Sequence, residues 1–287
     1  MNVKTLLRQF RSELNQVIDK DLTATTDLIT VENLSEYETY LDSVYTETAV
    51  GKTIIFTSAN AWYIPTLVKN LVVSINQRET FRCKFGVICS DETAYNLCKE
   101  NNIQYPFLVK IPGLKVDTLK TLKVADDYIR LCFVKTVLAY HALKLGYNIL
   151  YIDPDMAMVR PSLEYIIDQM RQYGVVLAGI KEGNMNTNVM GIIANEKNSE
   201  MFKVDVNTFE ANLLNRSIYG RFCSSDEEFI IMKDEYTPDL FHYLDIKTFP
   251  PGNYVDENNP IMMLHANSVC GLVNKVNFMK KYNGWYL

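Results

Sequence analysis

No stretch of this sequence stays apolar for the ~20 residues that a membrane-spanning helix requires, so a transmembrane segment is not expected. Positive charge is not in excess. Lysine and arginine number 29 against 34 aspartates and glutamates, a net charge of −5, which argues against nucleic acid as a partner because a general binder needs a basic face. The cysteines at 83, 89, 98, 132, 223 and 270 form no C-x-x-C pair. They read as buried, reduced thiols rather than a disulfide or zinc framework, which suits a reducing, cytoplasmic setting. Two glycosylation sequons, at Asn33 and Asn215, carry no weight without a secretion signal. Internal repeats and low-complexity tracts are also missing.

What is present is apolar and patterned. About half of the 287 residues are apolar, enough to bury one sizeable core. Val3, Leu6, Leu7, Phe10, Leu14, Val17 and Ile18 recur at helical spacing between charged residues, the pattern of an amphipathic helix rather than a targeting signal. Residues 1–50 read as a helical N-terminal extension and 51–287 as the main domain. Within it, Thr53–Ser58, Lys84–Cys89 and Asn148–Ile152 read as strands, with helices between them that include Asp127–Leu145. Gly174–Ile180, Asn188–Ala194 and Pro260–His265 read as further strands, Ser199–Leu214 and Ser225–Lys233 as helices, and the tail after Gly271 as a helix. Such alternation predicts an α/β, Rossmann-like fold: a mostly parallel sheet flanked by helices. Ligands in these folds bind beyond the carboxyl ends of the strands.

The most informative stretch is Leu150-Tyr151-Ile152-Asp153-Pro154-Asp155, where an apolar strand runs straight into two carboxylates one residue apart. Side chains two apart on an extended chain point the same way, and Pro154 stiffens the backbone between them. Two hard oxygen donors so placed can share Mn2+ or Mg2+, whose remaining positions are filled by substrate phosphates. Context matters here, because Asp19-Lys20-Asp21 has the same spacing with no strand before it and reads as solvated. A phosphatase-type Asp-x-Asp is the rival, but it usually lies near the start of a domain with Thr or Val two residues after the second Asp, where this chain has Ala157.

The order of motifs resembles the nucleotide-diphospho-sugar transferases of GT-A fold, closest to retaining galactosyl- and xylosyltransferases. It runs from Thr57-Ser58-Ala59-Asn60, through Lys135 and Gly146 to Asp155, to Asn186-Thr187-Asn188-Val189-Met190-Gly191. Asp226-Glu227 and His265-Ala266-Asn267 follow, with Gly271, Lys275 and Trp285. The resemblance implies nucleoside contacts from Thr57, Asn60 and Asp91, each of which also reads as an ordinary turn residue. It implies that His265 completes a metal site with Asp153 and Asp155. His141 and His242 have no such company and read as structural.

By the same resemblance, Lys275 meets the diphosphate, Gly271 and Asp153 also touch the nucleotide sugar, and Asn186 and Thr187 cup the donor sugar. Lys135 contacts the donor, or else is a solvated helix lysine. Asn188 departs from the pattern, since a small residue, usually glycine, is common there, and a reshaped sugar pocket is expected. Asp226 and Glu227 resemble an acidic pair near the reacting sugar, although Ser225-Asp226-Glu227-Glu228 equally reads as a helix-capping box. The implied reaction is transfer of a sugar from a nucleotide diphosphate donor, expected to be a UDP-sugar, to a glycan, protein or small-molecule acceptor. Retention is implied with it, by either a carboxylate nucleophile or attack from the leaving-group side. A catalytically silent sugar-nucleotide or glycan binder on the same fold is the alternative.

Overall fold

A computed structural model describes residues 31–111, 126–180, 184–203, 241–267 and 269–287. The elements, in chain order, begin with helix α1 (Leu34–Val44), strands β1 (Thr46–Thr48) and β2 (Gly51–Ala59), and helix α2 (Lys69–Arg78), entered through a π-helical turn at Ile64–Val68. Next come β3 (Phe85–Cys89), α3 (Glu92–Glu100), β4 (Pro106–Leu108), α4 (Asp126–Lys144), β5 (Asn148–Ile152) and β6 (Met156–Met158). The chain continues with α5 (Leu163–Tyr173), β7 (Val175–Ile180), β8 (Asn184–Ile192), α6 (Glu196–Met201), β9 (His242–Leu244), β10 (Met263–His265) and α7 (Leu272–Lys281). The expected helix at 1–18, the segment 204–240 with its expected helices, and Asp226 and Glu227 lie outside the described residues.

The main sheet runs β4-β3-β2-β5-β8-β7-β9, with β1 paired antiparallel to β2. Strands β4, β3, β2 and β5 are mutually parallel, and β8 joins antiparallel to both β5 and β7. The sequence thus predicted the parallel half well, while the second half is mixed. Continuous apolar runs such as Ile54-Ile55-Phe56 suit a strand covered on both faces. Ile54 and Phe56 pack with Tyr37 and Leu41 of α1 and Phe133 and Leu138 of α4. Ile55 and Ala59 face the other way, toward Val68, Leu71 of α2 and Ile166 and Met170 of α5.

Helix α5 shows why the sequence folds this way locally. Leu163, Ile166, Ile167 and Met170 are its buried residues, the one-sided stripe of an amphipathic helix, each worth about 1.5–3 kcal/mol of burial. Helix α4 ends where the sequence places it. Gly146 has φ +86°, its N–H donates to the Leu143 carbonyl and Tyr147 N–H to the Ala142 carbonyl, the paired bonds of a Schellman stop.

Residues 34–48, read in the sequence as part of the extension, supply α1 and β1. Tyr37, Leu41 and Val44 lie in the same apolar cluster as the main sheet. The Asn33 sequon is spent on structure: its amide donates to the Leu108 carbonyl and accepts from Lys110 N–H, at 2.8 and 2.9 Å. The thiols of Cys89 and Cys98 are buried and free as expected, whereas Cys270 is exposed. Among the described residues, no helix is long and apolar enough to cross a membrane.

Candidate active site

Strand β2 has β3 on one side and β5 on the other, so the strand order reverses there, and sheets of this kind bind ligands beyond the carboxyl ends of the strands at such a point. Asn60 and Asp153 follow directly from the ends of β2 and β5, and Asp91 comes two residues after the end of β3. Strand β5 delivers Asp153, whose N–H donates to the Asn188 carbonyl at 2.7 Å. Asp155 lies between β5 and β6, and β6 pairs antiparallel with β10, His265 opposite Met156. This two-stranded pairing brings residues 110 positions apart in sequence to one point.

There, one carboxylate oxygen from each aspartate and a ring nitrogen of His265 lie within 4.8 Å of one another. His265 Nε2 is 3.2 Å from Asp155 Oδ1 and 3.9 Å from Asp153 Oδ2. The outer oxygens face cations: Lys275 Nζ donates to Asp155 Oδ2 at 2.5 Å, and Lys135 Nζ sits 3.7 Å from Asp153 Oδ1. Two hard oxygens and an imidazole nitrogen converging on one point match the donor chemistry of a small divalent cation such as Mn2+ or Mg2+.

The electrostatics split the two acids. Burial, the largest influence on each, favours the neutral form. At Asp155 it is outweighed by His265 and Lys275, which hold the carboxyl well below the usual range. At Asp153 burial prevails over Lys135, and with the Asp155 charge beside it the carboxyl is raised. Burial disfavours the Lys275 ammonium, but the Asp155 carboxylate offsets this and raises it.

The other expected residues distribute as follows. Lys135 is 7% exposed and donates to Thr187 Oγ1 at 3.0 Å, so it is a buried cation joining Asp153 to Thr187, not a solvated helix lysine. Thr187 is thereby at the site. Asn186 is on β8, with its side chain outside the described residues. Asp91 caps α3, accepting from Ala94 N–H at 2.7 Å and from Ala61 N–H at 3.2 Å, and so ties the loop after β2 to that helix. Asn60 Oδ1 accepts from Trp62 N–H, leaving Trp62 about half exposed beside it. Thr57 is fully buried, with no hydrogen-bond partner for its hydroxyl among the described residues. Gly271, φ +84°, caps α7 and turns the chain so that Lys275 reaches Asp155.

Three residues escaped the sequence reading. Tyr151 donates to Asp153 Oδ1 at 2.7 Å and lies under the Lys135 ammonium, 4.7 Å from its ring centre; burial and the Asp153 charge push its phenol far above the ordinary range. Period-two alternation from Asp153 was the signal for it. Ser58 Oγ is 3.2 Å from the Tyr151 hydroxyl, so Ser58, not Thr57, joins this network. The Tyr63 phenol is raised by burial, within the fields of Lys275, Asp155 and Asp153; nothing in its local sequence distinguishes it.

A sequence profile described as nucleotide-diphospho-sugar transferase matches residues 83–279. Among solved structures, mouse xyloside xylosyltransferase 1 in its apo form is 11% identical and aligns over 75% of this chain and 97% of that one, with a TM-score of 0.52. The galactosyltransferase LgtC, in complex with donor and acceptor sugar analogs, is 14% identical over 82% of this chain and 97% of its own, with a TM-score of 0.45. A comparison with curated proteins gave no match.

Proposed function

The chain belongs to the nucleotide-diphospho-sugar transferase family, and from that premise we propose that it is a metal-dependent glycosyltransferase. It moves a sugar, with retention, from a UDP-sugar donor to an acceptor hydroxyl. The observation that carries the metal dependence is the convergence of Asp153, Asp155 and His265 within 4.8 Å.

Asp153, Asp155 and His265 would hold Mn2+ or Mg2+. When bound, the cation supplies positive charge against the diphosphate oxygens as the bond to the anomeric carbon breaks. The protein's own part is electrostatic preorganisation. Lys275 keeps its ammonium protonated beside Asp155, where charge develops on the leaving group. Lys135 fixes Asp153 and Thr187 together, which sets the first ligand against the strand proposed to cup the donor sugar. The acceptor hydroxyl attacks the anomeric carbon from the side on which the diphosphate departs, and its proton passes to an oxygen of the leaving diphosphate. Asp226 and Glu227 are the proposed carboxylates near that carbon, should retention proceed through a covalent intermediate.

The test is release of nucleoside diphosphate from a panel of UDP-sugars with Mn2+. Asp153→Ala and Asp155→Ala should each lower turnover by about 10²–10³-fold with the circular dichroism spectrum unchanged. Full activity in either variant, or in excess chelator, removes the metal from the mechanism. Donor binding without release, acceptors being supplied, would point to a silent binder.

A further inference from the structure

The two carboxylate oxygens of Asp153 keep different company. Oδ1 accepts from the Tyr151 hydroxyl at 2.7 Å and lies 3.7 Å from Lys135 Nζ. Oδ2 faces His265 Nε2 at 3.9 Å. At 3.7 Å the ammonium supplies charge rather than direction, so the hydroxyl is the group that orients Oδ1. Tyr151 and Asp153 are two apart on an extended chain, which puts them on one face. The backbone of Asp153 is pinned as well, through the bond from its N–H to the Asn188 carbonyl.

The hydroxyl is itself held in place. Tyr151 is 2% exposed. Its ring meets Phe56 edge-on, with centroids 5.2 Å apart, and carries the Lys135 ammonium on its face. Ser58 Oγ lies 3.2 Å from the phenolic oxygen. A phenol has one proton to give, and with that proton on Asp153 the Ser58 hydroxyl is the donor in the second bond. The bonds therefore run one way, from Ser58 on β2 through Tyr151 on β5 to Asp153, and bonds in such a chain strengthen each other.

We propose that Tyr151 is a positioning residue: its hydroxyl keeps Oδ1 of Asp153 engaged and so presents Oδ2 to the divalent cation before any nucleotide arrives. The proposal rests on the metal-binding reading above. A carboxylate can offer a cation either oxygen or both, and a short bond to one oxygen removes that freedom. Hydrogen bonds to ligating carboxylates also tune metal affinity. Asp155 shows the same division, with Lys275 on Oδ2 and His265 nearest Oδ1. There the orienting group is the cation that also serves the diphosphate. At Asp153 it is a neutral hydroxyl on the ligand's own strand, which stays in place whatever Lys275 does.

Tyr151→Phe removes the hydroxyl and keeps the ring. The experiment is titration of Mn2+ against the full chain without nucleotide, well below the unfolding temperature, reading free Mn2+ by its electron paramagnetic resonance sextet. Tyr151→Phe should weaken binding by about 10–100-fold. Wild-type affinity in Tyr151→Phe, with Asp153→Ala abolishing binding, overturns the role of Tyr151 and leaves the metal site standing. If the wild type itself takes up no Mn2+, the metal reading falls and this inference with it. A second measurement, on the wild type, covers a Tyr151→Phe protein that folds poorly. The buried Tyr151 hydroxyl proton should give a slowly exchanging ¹H resonance that is lost in Asp153→Ala and retained when Mg2+ fills the site, occupancy being checked by displacement of Mn2+. Absence of that resonance from the metal-free wild type, or its loss when Mg2+ binds, overturns the proposal, since the cation would then take the oxygen assigned to the phenol.

Discussion

Each acid of the Asp153/Asp155 pair turns one oxygen to a lysine and the other to His265. That division reconciles two carboxylates so close together, since like charges would otherwise force one to hold a proton. Lys275 is the more exposed to test, because it meets both Asp155 and the Ala266 carbonyl from a helix outside the sheet. Lys275→Ala should lower kcat by about 10²–10³-fold, with a smaller change in donor KM if the charge counts mainly in the transition state. Steady-state kinetics on a UDP-sugar check this, and an unchanged kcat would confine Lys275 to holding the β6–β10 pair. The carboxylates were legible in the sequence because an apolar strand led straight into them. His265 was legible only through the resemblance to a family, and Asn188 only as a departure from it. Ser58 carries no local signal, since its part in the network comes from Tyr151, far along the chain.

Among the elements, strands embedded in the sheet were predicted to within a few residues, as was β10, whereas β6 and its pairing with β10 were not. Strand β6 has three residues, too few for alternation to register, and its partner lies most of the second half of the chain away. Strand β8 was placed but its bulge opposite Leu177 and Gly179 was not, because bulges depend on a partner strand. Its Gly191 is set by packing. A Cβ there would lie 2.7 Å from both Met170 Cγ and Val176 Cγ2, pressing α5 and β7 away from the strand that carries Thr187 and Asn188. Valine is stiff at χ1, so the strain falls largely on Met170. Gly191→Ala should destabilise the fold by about 1–3 kcal/mol, measured by urea denaturation. Combining it with Met170→Ala should cost less than the sum of the two single changes, because the shorter side chain vacates the space. Strict additivity would mean the clash is relieved elsewhere.

For the molecule as a whole, the proposed metal site depends on contacts that tie the C-terminal residues to α2 and β6. After α7 the backbone returns over α2, where the fully buried Asn70 donates to the Gly284 carbonyl at 2.8 Å and accepts from Tyr286 N–H at 2.7 Å. The Tyr286 hydroxyl then donates to the Met158 carbonyl on β6 at 2.6 Å, and Ser74 of α2 accepts from Met158 N–H at 3.0 Å. Strand β6 is thus held from two sides, and β6 fixes the partner on which His265 sits. Asn70→Ala leaves the buried Gly284 carbonyl and the half-buried Tyr286 N–H unpaired and should cost about 1–3 kcal/mol. It should also weaken Mn2+ binding well below the unfolding temperature, although Asn70 lies outside the ligand set, because a loosened β6 no longer holds His265 against Asp155. Calorimetric Tm together with Mn2+ titration on the same preparation separates the possibilities. A lowered Tm with unchanged Mn2+ affinity would show that this C-terminal strap stabilises the fold without shaping the site, and would put the preorganisation entirely on β5, β8 and β10.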